Sequence, residues 1–436
     1  MPPTGQNVAV WPGVTYQTIV GWEGTAQIGH IECDQTAYAI YKNQLLDRLV
    51  NELGLTRVRI ETRSGFENPT DWFTRYITGE IDRPTWRAQW YQAVNDNADP
   101  QSANAAGYHF SWLDYDIDHV VTPLRARMAA RGERLYINLT YVDFANSAFE
   151  HAANPLEYGE YMLVLFQHLQ QKYGWVPDAI EIILEPDNTQ AWRAGQIAAA
   201  IVAAGDRLKA AGFEPDFIAP ATTNASNAVS WFDEMVKTPR VLEYLTDLSY
   251  HRYSGVSTAT IEAIGARAAQ YGIRSAMLEH IGSGYVDLHM DLSLGRNSTW
   301  QQFAMGGCAP GDPGGRYYLI DASVPTNPKV TLASRTHLLR LYFQYIRPGA
   351  VRLGAASGDG RFDPLAFRNA NGKFVVVVRT TAAGTFRVQG LPGGTYGLRY
   401  GTASVNGADL PDVTIPAGGE VPVSMPDAGV VTIYQR

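Results

Sequence analysis

Two glutamates stand where buried strands are predicted to end. Glu185 follows the apolar residues 182–184, and Glu279 follows the apolar residues 276–278. Burying an ionised carboxylate without a partner is costly, so each side chain is expected to face an open edge of its sheet. Two carboxyl groups that face each other across a cleft can cleave a glycosidic bond, one as a protonated acid and the other as an ionised group.

The spacing of the two glutamates strengthens this prediction. A single glutamate at a strand end is more often a structural ion-pair partner. Glu185 and Glu279, however, are separated by about three βα units of about thirty residues each, which places them three strands apart around an eight-stranded ring. They are therefore the predicted catalytic pair among five acids at predicted strand ends, the others being Glu23, Glu61 and Asp187.

Eight short runs of strand-forming residues alternate with amphipathic helical patterns. They are residues 18–22, 57–62, 135–141, 180–184, 217–220, 248–253, 275–278 and 299–304. Gly54 and Gly212 follow two of the helical patterns and are predicted helix stops. The alternation predicts an α/β fold, a (β/α)8 TIM barrel over residues 17–346. A doubly wound sheet is the weaker alternative, because no glycine-rich phosphate loop follows the first strand.

The ends of the chain have a different pattern. Residues 347–436 contain short alternating strands broken by Gly and Pro, with no helical period, which predicts a C-terminal all-β sandwich domain. Residues 1–16 include one further strand, which is predicted to join that sandwich.

The connection after the second barrel strand is unusually long. Residues 63–112 far exceed the usual loop length, which is typical of a functional insertion. Two interpretations remain open, a wall of a sugar-binding cleft and a small satellite core, for eight of its aromatic residues, Trp72, Phe73, Tyr76, Trp86, Trp90, Tyr91, Tyr108 and Trp112.

Charge and composition exclude several partners. The formal net charge of −8 and the lack of Lys/Arg runs argue against nucleic acid and anionic membranes. No apolar run approaches the ~20 residues of a membrane helix. No metal-ligand spacing or nucleotide loop is evident, so no metal or cofactor is predicted. A carbohydrate is the predicted partner, and the sequence predicts no oligomeric state.

The first residues and the two cysteines bear on the location of the protein. The first residues lack the basic and apolar regions of a signal peptide. We expect a secreted or periplasmic protein whose leader is absent from this sequence, with the cytoplasm as the alternative. Cys33 and Cys308 could form one disulfide or be two free thiols.

Motifs spread over most of the chain resemble a known family. Residues 17–24 (QTIVGWEG) and 54–60 (GLTRVRI) resemble the first two barrel strands of glycoside hydrolase family 30, a retaining family of clan A. Residues 185–187 (EPD) resemble the end of its fourth strand, and residues 251–253 (HRY) resemble its sixth. The most specific motif is 345–352 (YIRPGAVR), which resembles the junction into its sandwich.

The resemblance implies roles for the catalytic pair and one cation. Glu185 would be the acid/base, and Glu279 would be the nucleophile of a double displacement. Arg59 would hydrogen-bond Glu279, and a nearby cation would keep that carboxylate ionised. Arg57, two residues away on the same face, is the alternative for this role. Glu185 is expected to be held protonated by the charge of Glu279.

Aromatic and histidine side chains complete the site that the resemblance implies. Tyr253 would lie beside Glu279. His251 would line the site near Glu185, with a barrel-core histidine as an equal alternative. Trp300 would form the platform under the sugar in the cleaved subsite.

Two positions depart from the family pattern, and two more are polar candidates. Leu184 stands where clan A enzymes usually have an Asn that binds the sugar 2-hydroxyl, which implies a weaker catalyst or a different sugar. Glu23 replaces a small residue and is predicted to bind a sugar hydroxyl or substituent. Tyr141 and Asn188, near the third and fourth strand ends, are further predicted hydroxyl ligands.

The predicted function is a retaining glycosidase. It would cleave a β-linked oligo- or polysaccharide of the glucose, xylose, galactose or fucose type, as the resemblance implies. One alternative is a catalytically impaired barrel that binds glycan without cleaving it, which Leu184 favours. The other is a transglycosidase that passes the sugar to an acceptor hydroxyl.

Overall fold

Eight parallel strands close into a barrel. The computed structural model describes residues 7–308 and 311–436, in which strand β1 (Asn7–Thr18) precedes the barrel. Each barrel strand is hydrogen-bonded to the next, and β9 pairs with both β2 and β8, so the ring closes and the predicted (β/α)8 barrel is confirmed. The barrel strands are β2 (Gly21–Thr25), β3 (Arg57–Arg63), β4 (Tyr136–Val142), β5 (Ala179–Glu181), β6 (Asp216–Asn224), β7 (Leu245–Ser254), β8 (Arg274–Glu279) and β9 (Asn297–Cys308).

Helices connect the strands. Asp34 caps the N-terminus of the first helix, and its carboxylate accepts the N–H groups of Thr36 and Ala37. A π-helical turn continues it to Gly54, whose φ of +88° favours glycine, and Gly212 follows a later helix with φ +83°. The helices are α1 (Gln35–Arg48), α2 (Trp72–Ile77), α3 (Arg83–Ala88), α4 (Ser111–Asp116), α5 (Thr122–Ala130), α6 (Pro155–Tyr173), α7 (Ala194–Ala210), α8 (Ala225–Met235), α9 (Val241–Tyr244), α10 (Thr258–Tyr271), α11 (Tyr285–Ser293) and α12 (Thr336–Phe343).

None of the helices in the described part of the chain combines the length and hydropathy needed to cross a bilayer.

Contacts divide the chain into two compact units. The first comprises Met1–Gly24, Ile28–Thr56 and His280–Arg436, and the second comprises Thr25–Gln27 and Arg57–Glu279. The second unit contains the barrel strands β3 to β8 and both predicted catalytic glutamates.

Within the first unit, two strands that the sequence patterns did not indicate extend the barrel sheet. They are β10 (Arg316–Asp321), parallel to β9, and β11 (Lys329–Leu332), antiparallel to β10. Both are short and lie next to segments rich in Gly and Pro, which hid the strand pattern.

The all-β domain is a nine-stranded sheet that includes β1. In this sheet β1 is antiparallel to β12 and parallel to β15. Its core is apolar and includes Val10, Phe362 and Phe386. The remaining strands are β12 (Val351–Ser357), β13 (Phe362–Arg368), β14 (Phe374–Thr380), β15 (Gly384–Gln389), β16 (Gly394–Thr402), β17 (Ala408–Ile415), β18 (Val421–Met425) and β19 (Gly429–Gln435).

A disulfide joins Cys33 to Cys308, so of the two alternatives the structure selects the paired one. The bridge closes a loop with a sequence separation of 275 residues within the first unit. Such a long loop restricts the unfolded chain strongly, which is the usual way in which a disulfide stabilises a fold.

Reduction of this disulfide is expected to destabilise the protein by about 2–4 kcal/mol. We expect the unfolding midpoint in circular dichroism to fall in dithiothreitol, and a Cys33→Ser/Cys308→Ser double variant to show the same fall without reductant. A midpoint that does not respond to either treatment would mean that the cysteines are not paired in solution.

The long connection after β3 packs its rings against one another in the second unit. Trp86 and Trp112 are almost fully buried, with ring centroids 4.4 Å apart. Phe73 stacks on Trp112 at 5.9 Å, and Tyr76 stacks on Trp86 at 4.4 Å. For these four rings the structure supports the satellite-core interpretation over the cleft-wall interpretation.

Candidate active site

Glu185 and Glu279 lie at neighbouring points of one barrel end. Glu279 is the last residue of β8, and Glu185 follows the short strand β5 by four residues. A carboxylate oxygen of each and a ring nitrogen of His251 all lie within 4.8 Å of one another. The two glutamates keep 9% and 7% of their surface exposed. Both side chains are thus largely buried but still reach the surface.

The backbone at Glu185 is strained. After β5 the chain keeps hydrogen bonds to both neighbouring strands, from Leu184 N–H to the Tyr141 carbonyl and from Glu185 N–H to the Ala221 carbonyl. Glu185 itself has φ +49°, a left-handed conformation that costs a non-glycine residue about 1–3 kcal/mol. Such strain concentrates at functional sites, where the surrounding structure enforces it.

Two donors hold the Glu279 carboxylate. Tyr253 on β7 donates its hydroxyl to Oε1 at 2.8 Å, and Arg59 on β3 donates Nη2 to Oε2. The guanidinium is fully buried, and its Nε donates to the Thr25 hydroxyl at 3.1 Å. The structure therefore places Arg59, rather than Arg57, against Glu279, because Arg57 lies over the ring of Tyr136 instead.

Glu185 has a different set of partners. His251 Nδ1 lies 2.9 Å from Oε1, and Asn188 donates its amide Nδ2 to Oε2 at 2.8 Å. His251 is fully buried, and its other nitrogen, Nε2, makes no hydrogen bond. Asp187 lies beside them and accepts the backbone N–H groups of Thr223 and Asn224, which ties the Glu185 loop to the end of β6.

The charges in the site favour an ion pair between Glu185 and His251. Burial would raise the pKa of Glu185, but the hydrogen bond and charge of His251 outweigh it and lower that pKa. Burial would lower the pKa of His251, but the bond to Glu185 and the charge of Glu279 raise it above the usual 6.5. The expectation that Glu185 is held protonated by Glu279 is therefore wrong, because the proton is drawn to His251.

Arg59 carries a permanent charge at the base of the site. Burial would lower the pKa of its guanidinium, but the charges of Glu279, Glu181 and Glu61 raise it. Glu279 therefore has a fixed cation beside it at every pH at which the protein is folded.

Comparisons with known proteins agree with this architecture. No protein-family model matches the chain, and no curated protein matches it in sequence. Among solved structures, the catalytic domain of the GH30 xylanase C from Talaromyces cellulolyticus is 16% identical with a TM-score of 0.73, covering 99% of this chain and 100% of that one. The fold is shared with glycoside hydrolase family 30.

Further structures support the same conclusion. The family 30 subfamily 8 xylanase Xyn30A from Clostridium acetobutylicum is 16% identical with a TM-score of 0.68, covering 99% of this chain and 100% of that one. An endo-β1,6-glucanase is 14% identical with a TM-score of 0.67, covering 99% of this chain and 94% of that one. The resemblance inferred from the sequence motifs is thus confirmed for the fold.

Three residues predicted to touch substrate are fully buried. Trp300 packs on Phe343 and donates its indole N–H to Asp291 at 2.9 Å, so it presents no face to a sugar. Tyr141 donates to or accepts from His151 Nδ1 at 2.8 Å within a ring cluster. Glu23 has no exposed surface, and its carbonyl accepts the Tyr317 hydroxyl at 2.7 Å. The structure contradicts substrate contact by all three.

The sequence did not predict the orientation of Trp300 and Tyr141, and the reason is the same for both. Barrel strands are buried on both faces, so a polar or aromatic residue can face either the barrel axis or the helices. On β4, Asn138 lies toward Glu181, whereas Tyr141, three residues later, contacts Tyr158 and Tyr161 of α6. Because successive side chains alternate between faces, a strand-end position predicts a ligand only when its face is known.

A second acid cluster lies elsewhere in the second unit. Oxygens of Asp96, Glu157 and Glu160 lie within 4.8 Å of one another, a spacing that a metal ion could also use. Burial and the charge of Asp96 raise the pKa of Glu160 to about 7, and Tyr108 and Arg207 contact its carboxylate. These contacts give the cluster a structural explanation without an ion.

Proposed function

We propose that the protein is a retaining glycosidase that hydrolyses a β-linked oligo- or polysaccharide. The observation that carries the proposal is the separation of Glu185 and Glu279, whose oxygens lie within 4.8 Å of each other. Retaining enzymes place their two carboxyl groups about 5–5.5 Å apart, whereas inverting enzymes need about 6.5–9.5 Å to admit a water molecule. The family 30 fold supports the same reaction class.

In the proposed first step, Glu279 attacks the anomeric carbon and the bond to the leaving oxygen breaks. Arg59 and Tyr253 orient the attacking carboxylate through their hydrogen bonds to its two oxygens. The glycosyl-enzyme ester forms on Glu279, and the leaving oxygen takes a proton from Glu185.

The proton for this step resides in the Glu185–His251 pair. Bound glycan excludes water from the pair, and loss of water favours the neutral forms of an ion pair. The proton then moves from His251 Nδ1 to Glu185 Oε1, which lie 2.9 Å apart. In the second step, ionised Glu185 takes a proton from water, which attacks the ester and releases a sugar of retained configuration.

The pair predicts the alkaline limb of the pH profile. We expect kcat/KM to fall at pH values above the usual His pKa of 6.5, because the pair then loses the proton that Glu185 must donate to the leaving oxygen. In His251→Gln the proton must be held by Glu185 alone, so the limb should move to lower pH. Measurement of kcat/KM from pH 4 to 10, about the range in which carboxyl and imidazole groups titrate, tests this.

Tyr253→Phe is the control for the pH profile, because it removes the hydroxyl that donates to Glu279 and keeps the ring that lies beside His251. Its alkaline limb should match that of the wild type. An unchanged alkaline limb in His251→Gln would contradict the proposed proton path.

We propose the same domain roles as the sequence patterns indicate. Residues 17–346 would form the catalytic barrel, residues 347–436 the sandwich side domain, and residues 1–16 a strand of that sandwich. The Cys33–Cys308 disulfide supports a secreted or periplasmic location, because disulfides persist in oxidising compartments.

A substrate panel tests the proposed function. The wild type is incubated with aryl β-glycosides and β-linked polysaccharides, and released sugar is measured together with its anomeric form by NMR. Initial release of the β-anomer supports the proposal, and release of the α-anomer overturns it. Sugar binding without release would favour a glycan-binding barrel, and products longer than the substrate would favour a transglycosidase.

A further inference from the structure

A third carboxylate, that of Glu61, lies at the same end of the barrel. Glu61 is on β3, two residues after Arg59. Arg59 is in register with Asn138 of β4, and Glu61 is in register with Thr140. Side chains two residues apart on a strand share a face, so Glu61 lies one layer above Arg59 toward the carboxyl end of the barrel. Its charge, after those of Glu279 and Glu181, is among those that raise the pKa of Arg59.

Only one oxygen of Glu61 is occupied by the protein. Arg63 donates its Nη2 to Oε2, and Glu61 makes no other hydrogen bond among the described residues. Its side chain keeps 12% of its surface exposed. Among the described residues, Oε1 thus has no hydrogen-bond donor and is available to accept one from a ligand.

Arg63 is itself held rigidly by the insertion. Its guanidinium lies 3.7 Å from the ring centroid of Trp112 and 5.1 Å from that of Trp90. Its Nε and Nη1 are buried and make no hydrogen bonds, so the contact with the rings is a cation–π contact. These two rings of the insertion therefore hold the Arg63 side chain in place, and with it the Arg63–Glu61 ion pair.

An aromatic ring, that of Tyr91, lies beside this pair. Tyr91 is half-buried and lies near Arg63 and Glu61, whose charges both act on its hydroxyl. Its ring meets the edge of Phe144 at 5.9 Å, and Phe144 keeps 39% of its surface exposed two residues after β4 ends. A carboxylate acceptor and a partly exposed ring, with Tyr91 between them, suit a sugar, which has hydroxyl edges and an apolar face.

We propose that Glu61 and Phe144 form a sugar-binding subsite beside the catalytic pair, in which Glu61 accepts hydroxyl hydrogen bonds from a neutral sugar and selects against acidic sugars. The inference rests on the proposed glycosidase function and names its substrate class. Glu61, Glu181, Glu185 and Glu279 bring four carboxylates to this end of the second unit. A uronic acid in the subsite would meet like charges, whereas a hydroxyl donor would meet an acceptor already in place.

The test compares Glu61→Ala and Glu61→Gln with Glu80→Ala. Glu80 is the matched control, an exposed carboxylate in the same insertion that also pairs with an arginine, Arg75. On neutral β-linked oligosaccharides we expect Glu61→Ala to lower kcat/KM by about 10- to 100-fold, mainly through KM, since a hydrogen bond to a charged group is lost. Glu61→Gln should lose less on these substrates and gain relative rate on oligosaccharides that contain a uronic acid.

Phe144→Ala supplies an independent check of the aromatic face. We expect it to raise KM for oligosaccharides and to leave the unfolding midpoint at the wild-type value, because the ring is exposed. Wild-type KM in both Glu61→Ala and Phe144→Ala would overturn the proposal. So would a fall in the unfolding midpoint of Glu61→Ala with KM unchanged, which would make the Glu61–Arg63 pair structural.

Failure of the proposed function is distinguishable from failure of the subsite. If the wild type cleaves nothing, the glycosidase proposal fails, and the subsite is then tested by calorimetric titration with neutral cello- and xylo-oligosaccharides. Weaker binding by Glu61→Ala than by wild type and Glu80→Ala would support the subsite. Equal binding by all three, or binding by none, would overturn it.

Discussion

Replacing Glu279 with glutamine is expected to lower kcat by about 10⁴-fold or more, because the variant has no carboxylate to attack the anomeric carbon. Glutamine keeps the volume of the side chain and an amide oxygen that can accept from Arg59 and Tyr253. The fold should therefore persist, although a buried arginine loses its anionic partner. The rate on the best aryl β-glycoside and the unfolding midpoint measure the two effects separately.

Glu80→Gln is the control for this variant, because it removes one carboxylate charge at an exposed ion pair. It should keep the wild-type rate and midpoint. A folded Glu279→Gln variant with wild-type kcat would exclude Glu279 as the nucleophile. If Glu279→Gln does not fold, Glu279→Asp takes its place. This variant keeps the charge and the ion pair to Arg59 but shortens the side chain, so its kcat should fall.

Replacing Glu185 with glutamine is expected to lower kcat/KM by about 10²- to 10⁴-fold on substrates with poor leaving groups. Aryl glycosides whose phenol leaves without protonation should lose much less in the first step and accumulate the ester on Glu279. Azide, a small anion that needs no general base, should then restore turnover. The expected product is a β-configured glycosyl azide, measured by NMR or thin-layer chromatography.

Asn188→Ala is the matched control for the acid/base variant. Asn188 donates to Glu185 Oε2 but carries no proton that the reaction uses. This variant should lose some rate equally on good and poor leaving groups and should gain nothing from azide. Equal losses on both kinds of substrate in Glu185→Gln, without azide product, would contradict its role as acid/base.

Much of the barrel could be predicted from the sequence, because its signals are local. The eight predicted runs correspond to β2 to β9, with ends that shift by a few residues. At the fourth, the predicted run 180–184 is shortened to Ala179–Glu181. The chain there leaves regular pairing to place Glu185 in its left-handed conformation, so local geometry at the site overrides strand pattern.

The proximity of Glu185 and Glu279 could be predicted because two charges followed buried runs at a spacing that the barrel converts into proximity. The partners of the pair were predictable only in part. Arg59, Tyr253 and His251 lie where the motifs imply, each in contact with one of the two glutamates. Asn188 was predicted only as a hydroxyl ligand, and its contact with Glu185 was not foreseen. The direction of proton sharing was not predictable, because it depends on a 2.9 Å contact between β7 and the loop after β5.

The insertion shows the limit of composition as evidence. Its aromatic residues were equally consistent with a cleft wall and a satellite core, and only their mutual packing separates the two. Trp86 and Trp112 pack inward, whereas Tyr91 contacts the partly exposed Phe144. Burial of each ring depends on contacts between segments far apart in the chain, which no local pattern encodes.

The most direct test of the central claim is to trap the covalent intermediate. Wild type is incubated with the aryl 2-deoxy-2-fluoro-β-glycoside of whichever sugar it releases, digested, and analysed by mass spectrometry. We predict one sugar per protein molecule, attached to the peptide that contains Glu279, and no label in Glu279→Gln. A label on another residue, or turnover to the α-anomer without a label, would contradict a double displacement at Glu279.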